Sequence, residues 1–355
     1  MSTTLIANDL ILRAARRQRT ERTGVWLMRQ AGRFDPAYLA LREEAGLPLE
    51  QLFRHPELAA SITMLPRRFG VDALILFQDI LTPLDPMGVT CVFRPGPQFD
   101  KPVRSEADVR QLKMYEPGEE LPFVPESIRL VQRELDGAIP LLGFAGAPFT
   151  LAAFLIEGRS PGRCLDHTRV LMKSDPAALH RLLEKLATLT ASYLSLQIDT
   201  GVDGVQLFES VADLLSDAEY QEFAHPYQAA VLQLLGDRVP RILFVKERAC
   251  LGLMVETGAD VLSVGRCVDL AKAKSLYGDR VALQGNVDNR LLQDGSPDEV
   301  EEAVRSCIAA GRHEGHILNL NHGLLKDTPV ENVCRLIETC RTTTLHDAND
   351  AGGER

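Results

Sequence analysis

Three arginines, an aspartate and a histidine are the residues of this chain whose types and settings could do chemistry. Arg29 and Arg33 stand four residues apart on a glycine-containing turn, Arg29-Gln30-Ala31-Gly32-Arg33, and Arg42 follows two helical turns further on. Arginine is permanently charged and presents a planar fork of donors, so this concentration is a site for anionic groups, most simply carboxylates or phosphates. Asp79 closes the apolar run Ala73-Leu74-Ile75-Leu76-Phe77. It reads either as the N-cap of the turn that follows or as a carboxylate at the mouth of a buried strand. His322, between Asn321 and Gly323, reads either as a buried histidine bonded to a backbone carbonyl or as a pocket group.

The elements that must position these residues are well marked. Val25 to Met28 is a short apolar strand running into the arginine turn, and the next helix has Asp35 at its N-cap, Pro36 at its first position and Gly46 just past its end. Further apolar strands are expected at 73–77, 141–144, 204–208, 241–245, 261–264, 281–284 and 316–320, each followed by a helical stretch. A Pro- and Gly-rich excursion at 83–104 reads as a small hairpin, and residues 8–19 as a basic helical N-terminal extension. Eight such units with no linker fit one (β/α)8 barrel over 1–345, and the polar tail 346–355 reads as disordered. In a barrel the active site is built from the C-terminal ends of the strands. The residues there are Arg29, Asp79, Glu209, Ser210, Lys246, Arg266, Asn286 and His322, a polar set suited to a charged substrate.

Composition narrows the class. With 355 residues, 45% hydrophobic and 25% charged, the chain can bury a full core. A net charge of −10, with no concentration of basic residues beyond the first 35, argues against nucleic acid as a partner. No apolar run approaches the ~18 residues of a membrane span. The seven scattered cysteines never form a Cys-x-x-Cys pair, a usage expected of reduced thiols in the cytoplasm rather than of disulfides or a zinc site.

Several blocks then resemble one family, the uroporphyrinogen decarboxylases. The stretch VWLMRQAGRFDPAYLALR is similar to their RQAGR segment, FQDIL to FSDIL, and NHGLLKDTPVENV to a GHG…TPVENV segment. GFAGAPFTLAAFLIEG at 143–158, QLFESVADLLS at 206–216 and LQGNVD at 283–288 match further blocks, so the resemblance spans roughly residues 20 to 340. It implies cofactor-independent and metal-free decarboxylation of the four acetate side chains of uroporphyrinogen III to coproporphyrinogen III, in haem biosynthesis, by a homodimer. Carried over residue by residue, it makes Asp79 the carboxylate that accepts from the pyrrole N–H groups. Arg29, Arg33 and Arg42 would hold acetates and propionates, with the backbone of Gln30, Ala31 and Gly32 beside them. His322 and Ser210 would contact further carboxylates. Arg29 is placed as proton donor, but its pKa above ~12 makes it a weak acid, and the ordinary pKa of His322 suits the task better.

Several positions depart from the family pattern. Phe154 stands where the family has a tyrosine, in the substrate pocket, and Gln78 where it has a serine. Val264-Gly265-Arg266 replaces an Asp-Trp pair, and Asn321 replaces a glycine. An unreplaced hydroxyl donor to a charged group would cost about 1.5–3 kcal/mol. Two alternatives belong to a diverged paralogue: a non-catalytic tetrapyrrole-binding protein, or an enzyme like the zinc-dependent corrinoid methyltransferases. The second requires a His-x-Cys motif, which the chain lacks.

Overall fold

The computed structural model describes residues 5–343 except 95, 249 and 313, so the expected disordered tail lies outside the described residues. The described residues hold ten strands: β1 (Gly24–Val25), β2 (Leu74–Ile75), β3 (Cys91–Phe93), β4 (Pro97–Phe99), β5 (Leu141–Gly146), β6 (Gly204–Glu209), β7 (Arg241–Val245), β8 (Val261–Ser263), β9 (Ala282–Gln284) and β10 (His316–Leu318). β3 and β4 are the antiparallel hairpin expected in the Pro- and Gly-rich excursion. The other eight form one parallel sheet in the order β1-β10-β9-β8-β7-β6-β5-β2, with helices following the strands, the arrangement of a (β/α)8 barrel. The short helix Leu10–Ala15, with Ile11 and Ala14 fully buried, is the N-terminal helical extension.

All eight expected barrel strands are found, but several are shorter at the end that faces the site. The reason is that side chains take over from the ladder there. Leu27 N–H donates to Gln30 Oε1 at 3.1 Å and Met28 N–H to Asn319 Oδ1 at 3.0 Å, so the apolar run that begins the arginine motif leaves the sheet after Val25. Phe77 N–H likewise donates to Thr63 Oγ1 at 2.9 Å.

The two ends of the sheet order, β1 and β2, meet without a ladder. One backbone bond joins them, from Asp72 N–H to the Val25 carbonyl at 2.7 Å. Side chains complete the seam: Asp72 Oδ2 accepts from Val25 N–H at 2.9 Å, and Gln30 Nε2 donates to the Ala73 carbonyl at 3.1 Å. Arg22 holds the Asp72 carboxylate through both its oxygens, at 2.6 and 2.7 Å. Inside the barrel, Gln284 accepts from Trp26 Nε1 and donates to Gln206 and Ser263, each at 2.9 Å. This buried layer ties β6, β8 and β9 to the chain just after β1, beneath the mouth. Among the described residues, no helix is long and apolar enough to cross a membrane.

Candidate active site

The arginine motif is shaped by its backbone. Arg29 sits at φ +60°, in the left-handed region that costs a non-glycine residue energy, and so turns the chain sharply out of β1. Its side chain lies over Gly323: a Cβ there would fall 2.4 Å from Arg29 Cδ and 2.6 Å from Cγ. Asp35 caps the following helix, Pro36–Ala45, by accepting from Ala37 N–H at 2.9 Å. That helix carries Arg42, whose charge lies near the hydroxyl of Tyr38 one turn back; burial raises the pKa of that hydroxyl, and Arg42 opposes it with a smaller lowering effect. Among the described residues none of Arg29, Arg33 and Arg42 has a carboxylate within ion-pair distance, unlike the buried-pair arginines Arg22 and Arg241. They stand ready for an anion from outside.

Asp79 forms the turn after its strand but is not the N-cap of the short helix Thr82–Met87, a position held by Leu81. Its Oδ1 accepts from Leu81 N–H at 2.8 Å, a turn-forming bond, while the carboxyl lies at the strand end facing Arg29. Burial raises its pKa to about 6, against the lowering effects of the Leu81 bond and the Arg29 charge. Solvent reaches Arg29, but protein surrounds it closely enough that burial lowers its pKa, with Asp79 opposing and Arg33 pushing the same way. Gln78 does not aid the carboxylate, because its Nε2 donates to the Phe53 carbonyl at 2.8 Å.

The expectation for His322 as an acid is corrected by the structure. Burial, with the charges of Arg29 and Lys246, takes its pKa down to about 3, so the imidazole is neutral at ordinary pH. Its ring meets Phe244 edge-on, 5.7 Å between centroids. Phe244, Phe208 and Phe144 continue the contact from strand to strand at 5.6 Å each, an aromatic arc along β7, β6 and β5. On the other side Tyr38, Phe77, Phe53 and Phe93 make a second aromatic wall.

The remaining strand-end residues divide. Ser210 is half-buried, and its N–H donates to Thr150 Oγ1 at 2.8 Å. Thr150 in turn bonds Glu209, which also accepts from Gln228 Nε2 at 3.0 Å. Glu209 is fully buried behind the wall rather than facing the mouth, and burial raises its pKa to about 7. Phe154 lies one turn after Thr150 on the same helix, Pro148–Glu157, and hence on the same face toward β6. Lys246 pairs with Asp213 at 3.0 Å, and Arg266 with Asp288 at 3.3 Å. Asn286 serves the loop, donating to the carbonyls of Gly265 and Val268. The Gln30 side chain is spent on the seam and its N–H on the Leu27 carbonyl at 3.0 Å, so it offers a ligand no donor of its own. Thr150, Asp213 and Glu247 are the polar residues near this mouth that sequence reasoning passed over. Only the strand-end position of Glu247 could have signalled one of them.

The mouth therefore combines three unpaired arginines, one desolvated carboxylate, a neutral imidazole and two aromatic walls. Such a place can hold a flat, apolar ring that bears several carboxylates. A family model described as uroporphyrinogen decarboxylase (URO-D) matches residues 6–343. A uroporphyrinogen decarboxylase of Syntrophotalea carbinolica is 42% identical over 328 residues, 91% of this chain and 94% of that protein. One of Serratia proteamaculans is 41% identical over 343 residues, 94% of this chain and 96% of that protein. Among solved structures, a methyltransferase from Methanosarcina mazei superposes with a TM-score of 0.77 at 18% identity, over 95% of this chain and 98% of that one. At that identity the likeness is one of fold alone.

Proposed function

The chain belongs to the uroporphyrinogen decarboxylase family, a carboxy-lyase converting the four acetates of uroporphyrinogen III to the methyls of coproporphyrinogen III, and from that premise we propose how its mouth performs the reaction. An acetate attached to a pyrrole carbon has no carbonyl to accept the electrons left by departing carbon dioxide. Protonation of the adjacent ring carbon creates an acceptor, because the resulting pyrrolinium draws the C–C bonding pair into the ring system. Carbon dioxide leaves, a proton adds to the exocyclic carbon to make the methyl, and the ring proton is lost. Each turn thus consumes one proton and one carboxylate.

In this scheme Asp79 is the counter-charge. Its carboxylate accepts from the pyrrole N–H groups and stabilises the cation as it forms, an effect that is strongest where water is scarce. The raised pKa of Asp79 reports that scarcity. Arg29, Arg33 and Arg42 receive acetates and propionates. Neutral His322 donates an N–H to a further carboxylate, Ser210 serves another, and the aromatic arcs and Phe154 bound the macrocycle. The ring proton comes from Arg29, which burial makes a stronger acid while leaving it protonated, whereas burial lowers the pKa of His322 to about 3, so its imidazole has no acidic proton to give. The observation that carries this reading is the desolvated carboxylate of Asp79 facing Arg29, with Arg33 beside that arginine and neither of the two in an ion pair among the described residues.

Anaerobic incubation with uroporphyrinogen III, followed by oxidation and separation of products by carboxylate number, tests it. The four-carboxylate product, lost in Asp79→Ala, is expected. Binding without turnover by the wild-type protein would favour a non-catalytic tetrapyrrole-binding paralogue. The corrinoid methyltransferase alternative is not favoured, since the relatives at 41–42% identity are decarboxylases. We further propose a single barrel domain over 1–345, a homodimer with a place in cytoplasmic haem synthesis, and no cofactor or metal. The seven free cysteines support a reducing compartment. Light scattering should return twice the chain mass.

A further inference from the structure

The loop that carries His322 is held by a carboxylate that no step above uses. Glu247 follows Lys246 at the end of β7 in the left-handed region, φ +46°. Its Oε1 accepts from Asn321 Nδ2 at 2.8 Å, and its Oε2 accepts from the Cys267 N–H at 3.3 Å. Gly265, just past β8, leaves the room for this. A Cβ at Gly265 would lie 2.8 Å from Glu247 Cα and 2.9 Å from its backbone N, atoms that have no freedom to swing aside.

Asn321 passes the restraint on. Its Oδ1 accepts from Asn289 N–H at 2.8 Å, and Asn289 Nδ2 donates to the Gly323 carbonyl at 2.9 Å. The residues before and after His322 are therefore both tied, and the tie reaches the ends of β7, β8, β9 and β10. The two departures from the family pattern at Gly265 and Asn321, far apart in sequence, meet at this one side chain.

We propose that Glu247 is the positioning residue of His322, acting through Asn321 to fix where the imidazole meets a substrate carboxylate. This rests on the role of His322 proposed above. The amide of Asn321 has a fixed polarity, donating to Glu247 and accepting from Asn289, and that polarity supplies the test. In Asn321→Asp the bond to Asn289 survives, but a carboxylate faces Glu247 across 2.8 Å. In the double variant Glu247→Gln with Asn321→Asp the bond re-forms in reverse, with Gln Nε2 donating to the Asp carboxylate and Gln Oε1 accepting from Cys267 N–H.

The expected result is a loss of about tenfold or more in kcat/KM for N321D, the size that follows a small displacement of a catalytic group, and recovery to within about threefold of wild type in E247Q/N321D. The imidazole resonances of His322 in the unliganded protein should move in N321D and return in the double variant. Unchanged kinetics and resonances in N321D, or a double variant no better than the single, would overturn the proposal. The resonance measurement needs no substrate. A wild-type protein that fails to decarboxylate uroporphyrinogen would thus defeat the functional reading while leaving the Glu247 tie to be judged separately.

Discussion

Asp79 carries a conflict between stability and function that a pH series can expose. Its folded pKa of about 6 lies above the ordinary 3.8. A carboxyl with a raised pKa contributes stability while protonated, and loses it as pH rises from about 4 through about 6. Asp79→Asn should therefore stabilise the empty protein at pH 8 by about 2–3 kcal/mol, read as a higher melting temperature, and leave it unchanged near pH 4, while abolishing turnover. The same titration predicts an acid limb in kcat/KM near pH 6, as the cation's counter-charge is lost. Gly323 offers a second test, because a methyl there would displace the stem of Arg29. Gly323→Ala should lower kcat/KM about 100-fold, with circular dichroism unchanged. At this scale the sequence exposed residue types and strand ends well. It could not reveal that His322 is neutral, since that depends on Arg29 and Lys246 arriving from other strands.

The strands and helices were legible because each barrel strand is a short apolar run ending in a polar residue, and because caps such as Asp35-Pro36 mark the helices. What escaped was where the ladder stops. Met28 and Phe77 look like strand in any apolar reading, yet their N–H groups bond to Asn319 and Thr63, side chains 291 and 14 residues away. Gln30 shows the same limit. Its neighbours point to the substrate pocket, whereas its own amide closes the seam between β1 and β2. Gln30→Leu keeps the volume and strands Leu27 N–H and the Ala73 carbonyl without partners. The expected cost is about 2–4 kcal/mol, read from urea unfolding, with a fall in activity because Arg29 is the adjacent residue.

Across the whole molecule, a net charge of −10 opposes the approach of a substrate with eight carboxylates, so capture depends on the positive potential being local. Among the described residues no group of three or more His, Cys, Asp and Glu side chains is arranged to hold a metal ion. The proposed metal-free reaction predicts that exhaustive dialysis against a chelator leaves turnover unchanged, measured by product carboxylate number against an untreated control. The seam has a wider meaning for a sheet of this kind. A barrel escapes the hazard of sheet edges only if its last two strands are joined, and here the joint consists of one backbone bond and the side chains of Asp72 and Gln30. Substitutions that loosen these two side chains would turn a closed sheet into an open ribbon with two free margins, each a template for a strand from another molecule. The polar residues of the seam thus guard against aggregation as well as against unfolding.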